Sequence, residues 1–234
     1  MPRTEGYRAL LAGATGLVGF RLLRQLLEDR RCGALTVLTR RPLPPMPQAG
    51  GLRDKLTVLT ADFDHLEQAL ADVEADVVFC ALGTTIRKAG SQNAFRQVEQ
   101  AYPLALGEWA KSRGAGKFIV ISAMGANASS GIFYNRVKGE AEEALRAVGL
   151  PELHIVRPSL LLGRRDEFRL GEKAAMLLGP LLKPLMRGGL RRYRPVRAEA
   201  VAAFMRQTAA AAPIVGSGPA VKIYENDAIT ESSK

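Results

Sequence analysis

The chain has 234 residues, 47% of them hydrophobic, and a formal net charge of +10, a length and core fraction that suit one α/β domain spanning residues 1–234. No run approaches the ~20 apolar residues of a membrane-spanning helix, and residues 1–5 are polar, unlike a secretory signal. Cys32 beside a turn glycine and Cys80 in an apolar run make no bridge or ligand spacing, so the expectation is a protein of the reducing cytoplasm.

The apolar run 7–12 predicts a first strand. It enters Gly13-Ala14-Thr15-Gly16-Leu17-Val18-Gly19, and leucines at helical spacing then predict a helix over 17–29. Glycines in such a turn let backbone approach a pyrophosphate, while the helix start offers free N–H groups and a positive dipole end. The flanking strand and helix are the context this motif requires, so a dinucleotide cofactor is expected here. The second strand, 34–39, ends in Arg40 and Arg41, and no acid follows before residue 46. An acid there would accept from the adenosine ribose; arginine instead pairs with a 2′-phosphate. The expected cofactor is therefore NADP(H).

Further apolar runs at 56–60, 77–81, 117–122 and 154–157 predict strands, with helices over 65–71, 93–112 and 132–147 between them. Apolar strands alternating with helices indicate a doubly wound parallel sheet covered on both faces. Residues 41–52, rich in Pro and Gly, read as a loop leaving the cofactor end. Beyond 157 the pattern loosens. A leucine-rich piece, 174–186, is broken by Gly179, Pro180 and Pro184, and a basic stretch follows at 187–197. Residues 163–197 are expected to form a small C-terminal lid on the substrate side, followed by a helix over 199–212 and a late strand at 222–224.

Residues 160–200 hold ten Lys or Arg against four Asp or Glu, an excess of six. Without interleaved aromatics or a helix-turn-helix or zinc pattern, this reads as a solvated face or one that steers an anionic cofactor, and not as a nucleic-acid surface. His65 and His154 are far apart, so no metal site is expected. The Gly-x-x-x-x-Gly-Lys-Ser/Thr loop of nucleoside triphosphatases is missing.

Tyr134 and Lys138 are one turn apart on the predicted helix 132–147, so phenol and ammonium share a face. A neighbouring cation favours the phenolate and helps tyrosine exchange a proton with a carbonyl or alcohol. Ser122, at the end of the fifth strand, is placed to hydrogen-bond the substrate oxygen.

The glycine motif, Ser122 and Tyr134-x-x-x-Lys138 resemble an atypical short-chain dehydrogenase/reductase. More narrowly, Leu82-Gly83-Thr84-Thr85, Lys88-Ala89-Gly90, Val137-Lys138-Gly139-Glu140, Arg157-Pro158 and Tyr224-Glu225-Asn226-Asp227-Ala228-Ile229 resemble the Tat-interacting-protein-like oxidoreductases. The resemblance covers nearly the whole chain and implies a Rossmann fold and a Ser122–Tyr134–Lys138 active site. It implies NADP(H) on Gly13, Thr15, Gly16, Leu17, Val18 and Gly19, with Arg40 and Arg41. Asp62 and Phe63 would lie near adenine, and Ala81, Leu82, Gly83 and Thr84 on the adenosine side. Lys138 would hold the nicotinamide ribose, with Arg157, Pro158 and Ser159 close to the nicotinamide. Read without the resemblance, Asp62 is a turn residue and Pro158 a strand terminator.

The sequence departs from the wider family in two places. Cys80-Ala81-Leu82-Gly83 replaces the usual Asn-Asn-Ala-Gly, and the helix-borne catalytic asparagine has no counterpart, since Asn93 reads as a helix cap. The expected function is an oxidoreductase acting on a carbonyl or alcohol of a small molecule, with 177–186 suited either to an apolar substrate pocket or to a docking surface. Two alternatives stand beside it. One is an NADPH-carrying sensor that contacts a protein partner without turnover. The other is a nucleotide-sugar epimerase, which shares the trio but usually carries a larger C-terminal domain.

Overall fold

The strands are β1 (Tyr7–Ala12), β2 (Cys32–Thr39), β3 (Leu56–Thr60), β4 (Val77–Cys80), β5 (Lys117–Ile121) and β6 (Glu152–Arg157), then the short β7 (Leu161–Leu162) and β8 (Val196–Arg197), and β9 (Ala220–Glu225). A computed structural model describes residues 6–43, 54–162, 193–214 and 218–232. Seven strands form one sheet in the order β3-β2-β1-β4-β5-β6-β9, and β7 pairs with β8 separately. Every pairing in the large sheet is parallel. All carboxyl ends therefore meet on one rim, and the strand order reverses between β1 and β4, where doubly wound sheets bind ligands.

Alternate residues of each central strand feed opposite cores. On one face α1 (Leu17–Glu28) packs Leu22, Leu23 and Leu26 over Leu11, Val37 and Phe79, together with Val201 and Met205 of the late helix Ala198–Ala210. On the other, Leu106 and Trp109 of the helix Tyr102–Ser112 and Leu145 of the helix Phe133–Val148 cover Leu10, Val78, Phe118 and Ile155. At two helix ends a lysine from a strand or its flank donates to backbone carbonyls. Lys55 donates to Leu26, Asp29 and Cys32 at 2.8, 2.8 and 2.9 Å, and buried Lys117 donates to Thr208 and Ala209 at 3.4 and 3.3 Å.

Several elements differ from the sequence expectation. Strand β2 begins two residues early at Cys32, the helix expected over 65–71 is a 3-10 turn (Phe63–His65) followed by α2 (Leu66–Ala69), and α3 (Ile86–Ala89) has no counterpart among the expected helices. The helix expected over 93–112 is divided into α4 (Gln92–Arg96), a π turn (Gln97–Ala101) and α5 (Tyr102–Ser112). Pro103 has no N–H for the carbonyl four residues back, which belongs to Glu99, and the wider turn absorbs the missing bond. Strand β6 begins two residues earlier than predicted, because Glu152 is buried with partners of its own: its Oε1 accepts from the Ile214 N–H at 3.0 Å. Strand β9 is longer than expected, since it pairs with β6 from Ala220 to Glu225 while its exposed Val221, Lys222 and Ile223 weaken the apolar signal.

Residues 163–192 lie outside the described residues, and with them most of the expected lid and the leucine-rich piece 174–186. Among the described residues no helix is long and apolar enough to cross a membrane.

Candidate active site

The loop after β1 shows what each glycine is for. Gly13 has φ +91°, and a Cβ there would lie 2.4 Å from the Ala81 carbonyl oxygen, so it is required where the ends of β1 and β4 touch. A Cβ on Gly19 would lie 2.0 Å from the Gly13 carbonyl oxygen, because the first turn of α1 rests on the loop. Gly16 differs: it caps α1 without a side chain, and its nearest obstruction would be the Gly13 oxygen at 3.2 Å. With no acid in the first turn of α1, the helix start keeps its free N–H groups and positive end. Thr15 and Gly16 are exposed on the rim, Leu17 is half-buried, and Val18 and Gly19 are buried.

Arg40 and Arg41 are both exposed beside this loop, beyond the end of β2. The Thr39 hydroxyl fixes their turn by donating to the Arg41 carbonyl at 2.7 Å. After β3, Asp62 caps a short 3-10 turn by accepting from the Asp64 N–H at 3.2 Å. Phe63 is buried with its ring 5.2 Å from that of Tyr102, so its side chain belongs to the core. Residues 81–84 leave β4 at the point where strand order reverses. A cradle that excludes Cβ, an open helix start and two exposed arginines fit a dinucleotide phosphate backbone.

Across that reversal lies α6 (Phe133–Val148), with Tyr134 and Lys138 on one face. Gly139 is required here, since its Cβ would meet the Ala128 nitrogen at 2.1 Å. The loop after β5 is thus seated directly on α6, and the Asn127 N–H holds it by donating to the Asn135 carbonyl at 3.0 Å. The Tyr134 ring packs 5.8 Å from Phe95 of α4. Lys138 is only 6% exposed. Its ammonium donates to the carbonyl of Ile121, the last residue of β5, at 3.2 Å and lies 2.6 Å from Glu99 Oε2. Burial alone would lower the Lys138 pKa; the Glu99 charge, with Tyr134 adding to it, outweighs burial and raises it.

Ser122 and Arg157 are engaged otherwise than the sequence expects. The buried Ser122 hydroxyl donates to Glu142 Oε1 at 2.5 Å, one turn beyond Lys138. Arg157 grips the same carboxylate, Nε to Oε1 at 2.9 Å and Nη2 to Oε2 at 2.5 Å, and reaches Glu225 Oε1 at 3.0 Å. The Pro158 carbonyl accepts from the Met124 N–H at 3.0 Å. The Ser159 N–H donates to Asn226 Oδ1 at 3.1 Å, and Asn226, fully buried, also donates to the Arg194 carbonyl at 2.8 Å. Residues 157–159 are therefore tied to the closing segment around Glu225 and Asn226.

Sequence reasoning missed Glu99, Glu142 and Asn226. Glu142 was findable, because it repeats the spacing of Tyr134 and Lys138 along one helix face. Glu99 gave only a weak signal, an acid four residues before a proline. Asn93 is exposed on α4, and the cap there is Ser91, whose hydroxyl accepts from the Ala94 N–H at 3.1 Å. Both cysteines are free, and burial pushes the Cys32 and Cys80 thiols up to about 11 and about 12.

A family model described as NAD(P)H-binding matches residues 13–177. The mitochondrial protein FMP52 of Candida albicans is 33% identical over 196 residues, which cover 82% of each chain. Protein HTATIP2 of Rattus norvegicus is 36% identical over 171 residues, 73% of this chain and 69% of its own. Among solved structures, Bordetella bronchiseptica WbmG in complex with NAD superposes with a TM-score of 0.65 at 16% identity, covering 99% of this chain and 77% of that one. MoeE5 with UDP-glucuronic acid and NAD gives 0.65 at 18% identity, covering 93% and 76%. The FMP52 relatives are named mitochondrial, which overturns the expectation of a cytoplasmic protein. Two buried free thiols fit any reducing compartment and do not select the cytoplasm. The chain belongs to the NAD(P)H-binding family and is an atypical short-chain dehydrogenase/reductase of the Tat-interacting-protein-like type.

Proposed function

We propose that the chain is an NADP(H)-dependent oxidoreductase that interconverts a carbonyl and an alcohol on a small, apolar molecule. The observation that carries the reading is the pairing of Tyr134 with Lys138 on α6, at the rim where the glycine loop and β5 also end. In this reading the pyrophosphate lies on residues 13–19, and Arg40 and Arg41 hold the 2′-phosphate. Asp62, Phe63 and residues 81–84 flank the adenosine, and Lys138 with residues 157–159 flanks the nicotinamide side. The bound cofactor supplies the hydride.

Tyr134 gives its proton to the substrate oxygen, and the Lys138 charge steadies the phenolate left behind. Ser122 orients that oxygen once its hydroxyl turns from Glu142. The mitochondrial names of the FMP52 relatives support a mitochondrial location.

The test is NADPH absorbance followed across aldehydes, ketones and quinones, with NADH run in parallel. Turnover with at least one carbonyl, faster with NADPH, is expected; equal affinity for both cofactors sinks the NADP(H) preference. The engaged Ser122 hydroxyl favours a second reading, a protein that holds NADPH and contacts a partner. Tight NADPH binding without turnover on any carbonyl would select it.

A further inference from the structure

Glu99 is the one acid on the π turn, and it is only 2% exposed. Its carboxylate joins three elements. Oε2 lies 2.6 Å from the Lys138 ammonium of α6, Oε1 accepts from the Thr84 N–H at 2.5 Å on the loop after β4, and Lys138 in turn holds the Ile121 carbonyl at the end of β5. The turn that brings Glu99 inward is the one Pro103 imposes. Of this helical stretch, Glu99 and not Asn93 reaches the lysine.

A buried ammonium without a counter-charge tends to lose its proton. Three titratable groups act on Lys138: Glu99 from the π turn, Tyr134 from α6 itself and the Cys80 thiol from β4. Burial pushes Cys80 up to about 12, so it stays neutral. Among the three, Glu99 is the group whose carboxylate pairs directly with the ammonium, at 2.6 Å.

We propose that Glu99 is the positioning residue of this site: its buried carboxylate keeps Lys138 charged and fixed between β4, β5 and α6. The consequence for catalysis rests on the oxidoreductase reading, because a charged Lys138 is what steadies the Tyr134 phenolate. The positioning itself does not depend on turnover.

The experiment follows the Lys138 side-chain Cε resonance by NMR against pH, assigned by its loss in Lys138→Met. In the unmodified protein Lys138 stays charged beyond the ordinary lysine value of about 10.4. In Glu99→Gln burial is left unopposed, and the midpoint falls below that value. Tyr134→Phe, which leaves Glu99 in place, keeps Lys138 charged. If Glu99→Gln does not fold, Glu99→Asp carries the test: the shorter acid holds the charge less closely, so its Lys138 midpoint falls below that of the unmodified protein. An unchanged midpoint in the folded variant, or a neutral Lys138 at pH 9 in the unmodified protein, overturns the proposal. Failure to find a substrate overturns the proposed function alone.

Discussion

The two halves of the rim are built from different materials. On the β1 side the site is backbone: a left-handed Gly13, an open Gly16 and the uncapped start of α1, with two exposed arginines nearby. On the β5 side it is a set of buried charged side chains, with Glu99 on Lys138 and Glu142 shared by Ser122 and Arg157. Backbone donors hold one geometry at no cost in charge burial, which suits a cofactor that keeps a single pose. Buried charges persist only in pairs, so the second half gives position and proton affinity at the risk of instability when either partner is lost. For this reason Lys138→Met, which leaves Glu99 buried without its cation, tests stability as much as chemistry.

The comparison predicts where glycine substitutions separate folding from binding. Gly13→Val combines a left-handed φ with a Cβ driven into the Ala81 carbonyl, so a loss of roughly 2–6 kcal/mol in folding stability is expected by chemical denaturation. Gly16→Ala should stay folded and still bind NADPH more weakly. If Gly13→Val unfolds at the same denaturant concentration as the parent, the contact between the loop and β4 is not what fixes this glycine.

The arginines should act on affinity alone. Replacing Arg40 and Arg41 together by Ala removes charge-assisted contacts worth about 1.5–3 kcal/mol each. Titration should therefore show NADPH weakened at least tenfold and NADH almost untouched. A matching loss for both cofactors would mean that the arginines do not meet the 2′-phosphate.

The smallest effect lies away from the site. His154 is 3% exposed, with Nδ1 3.0 Å from the Tyr224 hydroxyl and Nε2 3.0 Å from Glu152 Oε2. Burial, more than any neighbour, lowers its pKa, so its neutral form is favoured in the folded chain. Below about pH 6.5 the unfolded chain takes up a proton that the folded chain refuses. Stability contributed by this residue is thus complete above that pH and declines beneath it until the folded value is passed, at up to about 1.4 kcal/mol per pH unit. Urea unfolding at pH 7.5 and 5.5 should show a steeper acid loss in the parent than in His154→Gln. Identical losses would assign the acid sensitivity to other groups.

Legibility in the sequence follows the same division. Strands β1 and β3 match their predicted bounds residue for residue, and the glycine loop was readable, because apolar runs and glycine spacing are local signals. The buried pairs were not. Glu99 and Lys138 are 39 positions apart, and each alone resembles a solvated helix charge until α5 and α6 are packed side by side. Ser122 was placed at the right strand end, but its hydroxyl partner depends on the third turn of α6. The π turn escaped for a related reason: a continuous helical pattern hides one proline that sits at a helix start.

The division of labour between the two halves is tested most directly by Tyr134→Phe, with cofactor affinity and turnover measured on the same sample. The phenol adds nothing to the backbone cradle, so NADPH affinity should match that of the parent. Loss of the proton donor should slow carbonyl reduction by about 10²–10⁴-fold. Undiminished turnover, or turnover and NADPH affinity falling together, would contradict the account.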